Sequence, residues 1–117
     1  VAQKVEEAQR RFGALVGDPT VYRELGNVSY NGANYHEALR YYEQALAIDP
    51  KYAKAWYNRG NALADLGRHP EAVASYDKAL AIDPKYAAAW NNRGAALDKL
   101  GRHQEALASL KKAYELK

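Results

Sequence analysis

Apolar residues along the chain recur every three or four positions, which is the spacing of one face of an α-helix. In one stretch Leu63 and Leu66 follow this spacing, and in the next it is followed by Ala72, Tyr76 and Leu80. A turn that contains glycine separates the two stretches. Repeated along the chain, this pattern predicts seven helices, near residues 2–16, 19–32, 35–48, 53–66, 69–82, 87–100 and 103–116.

Short polar and proline-containing segments mark the expected helix ends. Asp18 precedes Pro19 and is a typical N-cap, because its side chain can accept from a free backbone N–H of the first turn. Pro70 is expected at the first helical position, where no N–H is needed. Asp49 and Asp83 each precede a proline and are expected to end helices, since proline disfavours helical geometry in the residue before it.

The pattern repeats with a period of 34 residues, and the chain aligns to itself at this period without gaps. Residues 45–53 read ALAIDPKYA, and residues 79–87 read the same. The aligned sets include Tyr22, Trp56 and Trp90; Gly26, Gly60 and Gly94; Ala38, Ala72 and Ala106; and Ala45, Ala79 and Ala113. Repeats this similar are typical of recent duplication, or of a designed or consensus-edited scaffold.

These residues resemble the tetratricopeptide repeat family: an aromatic, glycine four positions later, then alanine, an aromatic, alanine and a closing proline. Two features depart from the family pattern, since Arg59 and Arg93 replace a leucine that Leu25 keeps, and Ala33 stands where later repeats have glycine. The resemblance implies one all-α domain, a right-handed superhelical solenoid of antiparallel helix pairs. Its parts would be a capping helix over 1–18 and repeats over 19–52, 53–86 and 87–117.

The first sixteen residues lie outside the repeat period. Their apolar stripe, which predicts an amphipathic helix, consists of Val1, Val5, Ala8, Phe12 and Val16. We expect this helix to cap the first repeat. The alternative is a partner helix or a ligand for the chain's own groove.

In the family, the first helix of each pair lines a concave groove. The resemblance implies a wall of Arg23, Asn27, Tyr30 and Asn31 from the first repeat, Lys54, Tyr57, Asn58, Asn61 and Asp65 from the second, and Ala88, Asn91, Asn92, Ala95 and Lys99 from the third. Asparagine both donates and accepts, so it suits the backbone of an extended peptide of any sequence. We expect peptide contacts from Arg23, Asn27, Lys54, Tyr57, Asn58, Asn61, Asn91 and Asn92. The alternative is that the amides only bind water.

Some family members grip an acidic C-terminus with a two-carboxylate clamp. Arg23, Asn27 and Asn58 match the first three of its positions. Ala88 and Asn92 stand where its last two cations are needed. We therefore expect no functioning clamp, because two charge-assisted hydrogen bonds are missing.

The family resemblance implies a scaffold that binds a protein or a peptide, and composition and charge argue against other functions. The chain has no cysteine, and its 17 basic and 14 acidic residues are well mixed, which argues against nucleic acid. No apolar run is long enough to span a membrane. We find no metal-ligand cluster, cofactor site or nucleophile with a base, so we expect no enzyme and no cofactor. The alternative is an interaction fragment of a larger, enzymatic protein. The cytoplasm is the favoured compartment.

Three further residue sets have competing interpretations. The three histidines fall near helix-pair turns and are expected at the surface. Arg59 and Arg93 fit either aliphatic packing or ligand contact. The ten tyrosines predict aromatic rings packed against protein with their hydroxyls near water.

The last helix keeps the broad apolar face that an inner helix uses to contact the next repeat. This face consists of Ala106, Leu107, Leu110, Ala113, Tyr114 and Leu116. Polar replacement is partial, since Lys111 and Glu115 appear where the preceding repeat has Asp77 and Ala81. We expect self-association or docking of a helix through Leu107, Leu110 and Tyr114. A solvated edge with a frayed last turn is the alternative.

Overall fold

The computed structural model describes residues 17–117, which form six helices. They are α1 (Pro19–Asn31), α2 (Tyr35–Ile48), α3 (Ala53–Asp65), α4 (His69–Ile82), α5 (Ala87–Lys99) and α6 (His103–Glu115). The sequence pattern therefore placed these six helices correctly, and four of them end one residue earlier than expected. In each of these four helices, the residue that we predicted to be the last helical residue is the C-cap in the structure. The predicted helix over 2–16 and its apolar stripe lie outside the described residues.

The helix ends follow local side-chain and proline chemistry. Asp18 caps α1, and its carboxylate accepts from the Thr20 N–H at 2.9 Å. Asp49 and Asp83 cap the C-terminal ends of α2 and α4, as predicted. The prediction for Pro70 was wrong by one position, because α4 begins at His69. Proline fits the second position as well, since the N–H groups of the whole first turn have no intrahelical acceptor.

The helices pack as three consecutive pairs, α1 with α2, α3 with α4 and α5 with α6. The pairs stack through α2 against α3 and α4 against α5, and the Cα extents are 46 × 24 × 22 Å. The first helices also touch one another across the stack, α1 with α3 and α3 with α5. The stack is thus an all-α repeat solenoid, with α1, α3 and α5 on its inner face. The residue bounds of the individual repeats stay a prediction.

Within the first two pairs, a glycine lets the helices come close enough to bury a tyrosine ring. A Cβ at Gly26 would lie 2.5 Å from a ring carbon of Tyr42, and a Cβ at Gly60 would lie 2.5 Å from one of Tyr76. Both rings are 1% exposed. In the third pair Gly94 faces Leu110 instead of a tyrosine. Glycine at these positions is therefore required by packing.

The turn inside each pair needs one residue with a left-handed backbone. Gly67 and Gly101 supply it with φ of 76° and 77°, but in the first pair Ala33 adopts φ of 63°. A Cβ at Gly67 or Gly101 would meet no heavy atom within 4 Å, so the difference between glycine and alanine here is one of backbone energy.

Replacing Ala33 by glycine should raise the free energy of unfolding by about 0.5–1 kcal/mol. The strain removed is ~1–2 kcal/mol, and glycine's greater freedom in the unfolded chain offsets part of it. Urea denaturation of Ala33→Gly measures the change. The matched control is Ala74→Gly at an exposed mid-helix position of α4. This variant should lower the free energy of unfolding by about 0.5–1 kcal/mol. Equal losses in both variants would contradict the strain at Ala33.

Candidate functional site

Two adjoining clefts lie on the inner face. The first cleft, of about 270 Å³, is lined by Asn27, Tyr30, Asn31, Tyr42, Asn58 and Asn61. The second cleft, of about 330 Å³, is lined by Tyr30, Asn61, Ala64, Asp65, His69, Tyr76, Asn92, Ala95, Ala96 and Lys99. Because Tyr30 and Asn61 line both, the clefts are neighbours. Four predicted contact residues, Asn27, Asn58, Asn61 and Asn92, line these clefts. The other four, Arg23, Lys54, Tyr57 and Asn91, line neither.

Two of the groove asparagines are held by buried tyrosines. The Tyr42 hydroxyl donates to Asn27 Oδ1 and the Tyr76 hydroxyl donates to Asn61 Oδ1, each at 2.6 Å. Burial raises the pKa of both tyrosines well above the ordinary value, so the hydroxyls stay protonated donors. Each amide oxygen is thereby turned toward a core ring. The Nδ2 groups of Asn27 and Asn61 make no hydrogen bond within residues 17–117 and remain available as donors.

The amide of Asn92 links the second and third helix pairs. Its Nδ2 donates to the Tyr57 hydroxyl at 3.0 Å and to Asn61 Oδ1 at 2.9 Å. Asn91 Nδ2 lies 3.3 Å from Asn92 Oδ1 and donates to it. The Tyr57 ring packs against the Tyr86 ring at 4.9 Å between centroids. This network gives Asn92 a structural role that the sequence analysis missed.

Asn58 occupies the same repeat position as Asn92 but has different neighbours. Arg23 stands where Tyr57 stands one repeat later, and it turns to Tyr52, donating from Nε to the hydroxyl at 2.7 Å. The Asn58 Oδ1 atom is buried and has no hydrogen-bond partner within the described chain. A buried acceptor without a donor costs about 1–3 kcal/mol. Asn58 therefore has an unused acceptor beside the free donors of Asn27 and Asn61, and a small rotation of its side chain would be needed to turn that oxygen toward the cleft.

The second cleft has charged side chains at its edge. Asp65 accepts a hydrogen bond from the Tyr30 hydroxyl, and burial together with this carboxylate raises the pKa of Tyr30. Asp65 and Lys99 are both exposed, and neither has an ion-pair partner among residues 17–117. The surface expectation for His69 was wrong: its ring is half-buried, and its Nδ1 atom is buried with no partner in the described chain.

Arg59 and Arg93 face away from the clefts, toward the second helices of the pairs. Arg59 donates to Ser75 and pairs with Glu43 at 3.3 Å. Arg93 pairs with Asp77 at 2.6 Å. Each guanidinium also lies over the tryptophan three residues before it, at 5.6 and 5.7 Å from the ring centroid. Packing is thus the role that the structure gives both arginines.

The outward face of α6 is open. Leu107 is 51% exposed and Tyr114 is 67% exposed, while their counterparts one repeat earlier, Val73 and Leu80, are 6% and 7% exposed. Leu110 is half-buried against Gly94. Of the predicted self-association residues, Leu107 and Tyr114 therefore share a helix face that no other described element covers, whereas Leu110 packs partly against α5.

Residues 17–117 bring no three His, Asp or Glu side chains together in a group that could hold a metal ion. In the same range, every helix is too short or too polar to cross a bilayer. His103 instead lies beside Asp98, with Nδ1 2.8 Å from its carboxylate.

Comparison with known proteins gives relatives that match part of this chain. The chain is 37% identical over 65 residues to a TPR repeat-containing thioredoxin of Arabidopsis thaliana and 36% identical over 66 residues to Hsp70-Hsp90 organizing protein 1 of Glycine max. Each match covers 56% of this chain, but only 9% and 11% of those relatives. Superkiller protein 3 of Schizosaccharomyces pombe matches over 48 residues at 38% identity, covering 41% of this chain and 4% of that protein.

Solved structures agree with the fold. A crystal structure of MamA superposes with a TM-score of 0.89 at 26% identity, covering 96% of this chain and 66% of that one. The first TPR of Spaghetti (RPAP3), bound to HSP90 peptide SRMEEVD, superposes with a TM-score of 0.84 at 28% identity, covering 86% of this chain and 79% of that one. Tetratricopeptide repeat family models match residues 23–87 and 75–108. Since the first of these covers more than half of the chain, this protein belongs to the tetratricopeptide repeat family.

Proposed function

We propose that the chain is a protein-interaction module whose inner face binds an extended segment of a partner protein. The observation that carries the proposal is the buried, unpartnered Oδ1 of Asn58, flanked by the free Nδ2 donors of Asn27 and Asn61. An extended backbone presents N–H and C=O groups in alternation. Its N–H groups can donate to Asn58 Oδ1, and its C=O groups can accept from the Nδ2 groups of Asn27 and Asn61. The first TPR of Spaghetti, which shares this fold, is bound to a peptide, and this supports peptide binding as the general class of function.

The other predicted contact residues would act at the margins of the bound segment. Lys54 is exposed at the start of α3, where it can meet a carboxylate. Arg23 already gives its Nε to Tyr52, and its two other nitrogens make no hydrogen bond within residues 17–117. Tyr57 and Asn91 belong to the Asn92 network, so their role would be to hold the wall in place.

Removing the Asn58 amide should weaken peptide binding while leaving the fold as stable or more stable. In Asn58→Ala the ligand loses a hydrogen bond of about 0.5–1.5 kcal/mol, and the free chain loses an unsatisfied acceptor. The measurements are affinity by fluorescence anisotropy, for a peptide selected from a displayed random library, and unfolding by urea. Asn92→Ala is the matched control, because it breaks an internal network and should lower stability. Unchanged affinity in a folded Asn58→Ala chain would exclude the groove.

A peptide with an acidic, free C-terminus should bind the unmodified chain weakly. Ala88 and Asn92 occupy the positions where the clamp needs cations, and each missing charge-assisted bond is worth ~1.5–3 kcal/mol. Labelled SRMEEVD peptide, with its C-terminal amide as control, tests this by anisotropy. Ala88→Lys should gain affinity for the free acid, and adding Asn92→Arg should gain more in spite of the broken Tyr57 contact. Tight binding by the unmodified chain would show the position-by-position comparison to be wrong.

A second proposed interaction is pairing of two copies through α6. The open face carries Leu107 and Tyr114, and it also carries Lys111 and Glu115, four residues apart. In an antiparallel pair of α6 helices with twofold symmetry, Lys111 of each copy can meet Glu115 of the other. The apolar side chains would then be covered in the same contact.

Sedimentation across a wide concentration range should show dimers at high concentration. Leu107→Glu with Tyr114→Lys should abolish them without unfolding, because both side chains are more than half exposed. A control variant, Lys78→Gln on the exposed side of α4, should dimerise like the parent. A strict monomer at every concentration would rule out this pairing.

A further inference from the structure

The second cleft holds two opposite charges that do not neutralise each other. Asp65 lies at the C-terminal end of α3, and Lys99 lies at the equivalent end of α5. Other charged side chains nearby are paired: Asp98 with His103, and Arg68 with Glu71. Within residues 17–117, Asp65 and Lys99 are too far apart to form an ion pair with each other. Each is therefore free to receive an opposite charge from outside.

The carboxylate of Asp65 is also fixed in place. The Tyr30 hydroxyl from the neighbouring helix pair donates to its Oδ2, which leaves Oδ1 open. Beside it, the Nδ1 atom of His69 is buried and without a partner in the described chain. An oriented carboxylate with one open oxygen at the side of a cleft favours a ligand that carries hydrogen-bond donors there.

The floor of the cleft suits the stems of long side chains. Ala64, Ala95 and Ala96 line it, so small methyl groups stand where longer residues would fill the space. Methylene groups of lysine, arginine or glutamate can lie along such a surface while the charged end reaches the edge. The second cleft thus combines an apolar floor with one acidic and one basic side chain at its edge.

We propose that the second cleft recognises two oppositely charged side chains of the bound segment, a basic one at Asp65 and an acidic one at Lys99. Neighbouring helix axes lie roughly 8–10 Å apart, and an extended chain rises about 3.3 Å per residue. The two charged residues of the segment would therefore stand about three positions apart. This inference rests on the proposed groove function and adds the chemistry of the partner to it.

The test uses the whole chain and displayed random peptides of about twelve residues. Selected peptides should be enriched in a basic and an acidic residue two to four positions apart. The charge-exchanged variant, Asp65→Lys with Lys99→Asp, keeps the net charge of the parent. Acetylated and amidated copies of one selected peptide, with its two charged residues in the original and in the exchanged order, are the probes for anisotropy.

The parent chain should prefer the original peptide by about two- to five-fold for each exposed charge contact. The charge-exchanged variant should prefer the exchanged peptide. Arg102→Glu with Glu105→Arg, an exchange within an exposed ion pair outside the cleft, should keep the parent preference. Asp65→Asn with Lys99→Gln keeps an acceptor for Tyr30, and it should fold and lose the preference.

The outcomes separate the two proposals. Peptides that weaken with Asn58→Ala but bind equally well in both charge orders would overturn the charge-pair recognition and leave the groove function in place. If no selected peptide depends on Asn58, groove binding itself is wrong, and the charge-pair recognition is overturned with it.

Discussion

The structure depends on the contact between a glycine of the first helix and an aromatic ring of the second in each of the first two pairs. Gly60 has no room for a Cβ because the Tyr76 ring lies against it. This close approach allows the ring to extend past α3 to its inner side. There its hydroxyl meets Asn61. One packing constraint thus sets the helix spacing, buries the largest core side chain of the pair and orients a polar group of the groove. Gly26, Tyr42 and Asn27 repeat the arrangement.

The third pair shows that the tyrosine and the asparagine belong together. Leu110 stands in place of the tyrosine, and Ala95 stands in place of the asparagine that accepts the tyrosine's hydrogen bond in the first two pairs. The signal was present in the sequence as a constant offset of fifteen residues between the two partners. The sequence analysis assigned these asparagines to the groove alone and did not predict this pairing. An amide has an acceptor oxygen and a donor nitrogen, and the two can have different partners. The oxygen serves the core, and the nitrogen is left for a ligand or for water.

The strict 34-residue period made the helices and their caps predictable, because each boundary is determined by residues next to it, such as Asp18 or Asp49. What could not be predicted depends on contacts between repeats. Asn58 and Asn92 are equivalent in sequence, yet Asn92 is bonded and the oxygen of Asn58 is not. The oxygen of Asn92 accepts from the amide of Asn91, whereas the equivalent residue beside Asn58 is Tyr57, whose hydroxyl accepts from Asn92. His69 and His103 are also equivalent in sequence, yet His69 is half-buried in a cleft that the third pair helps to line, and His103 is exposed.

The outer layer carries the ion pairs that link successive helix pairs. Arg59 and Arg93 connect successive pairs through Glu43 and Asp77 on the second helices, so ionic contact between pairs does not draw on groove residues. The equivalent residue on α6 is Lys111, so a following helix that carries an arginine at the same position would meet a like charge. The open face of α6 therefore favours an acidic or apolar neighbour over another arginine-bearing repeat. In the proposed pairing of two copies, the second α6 would bring Glu115 to Lys111.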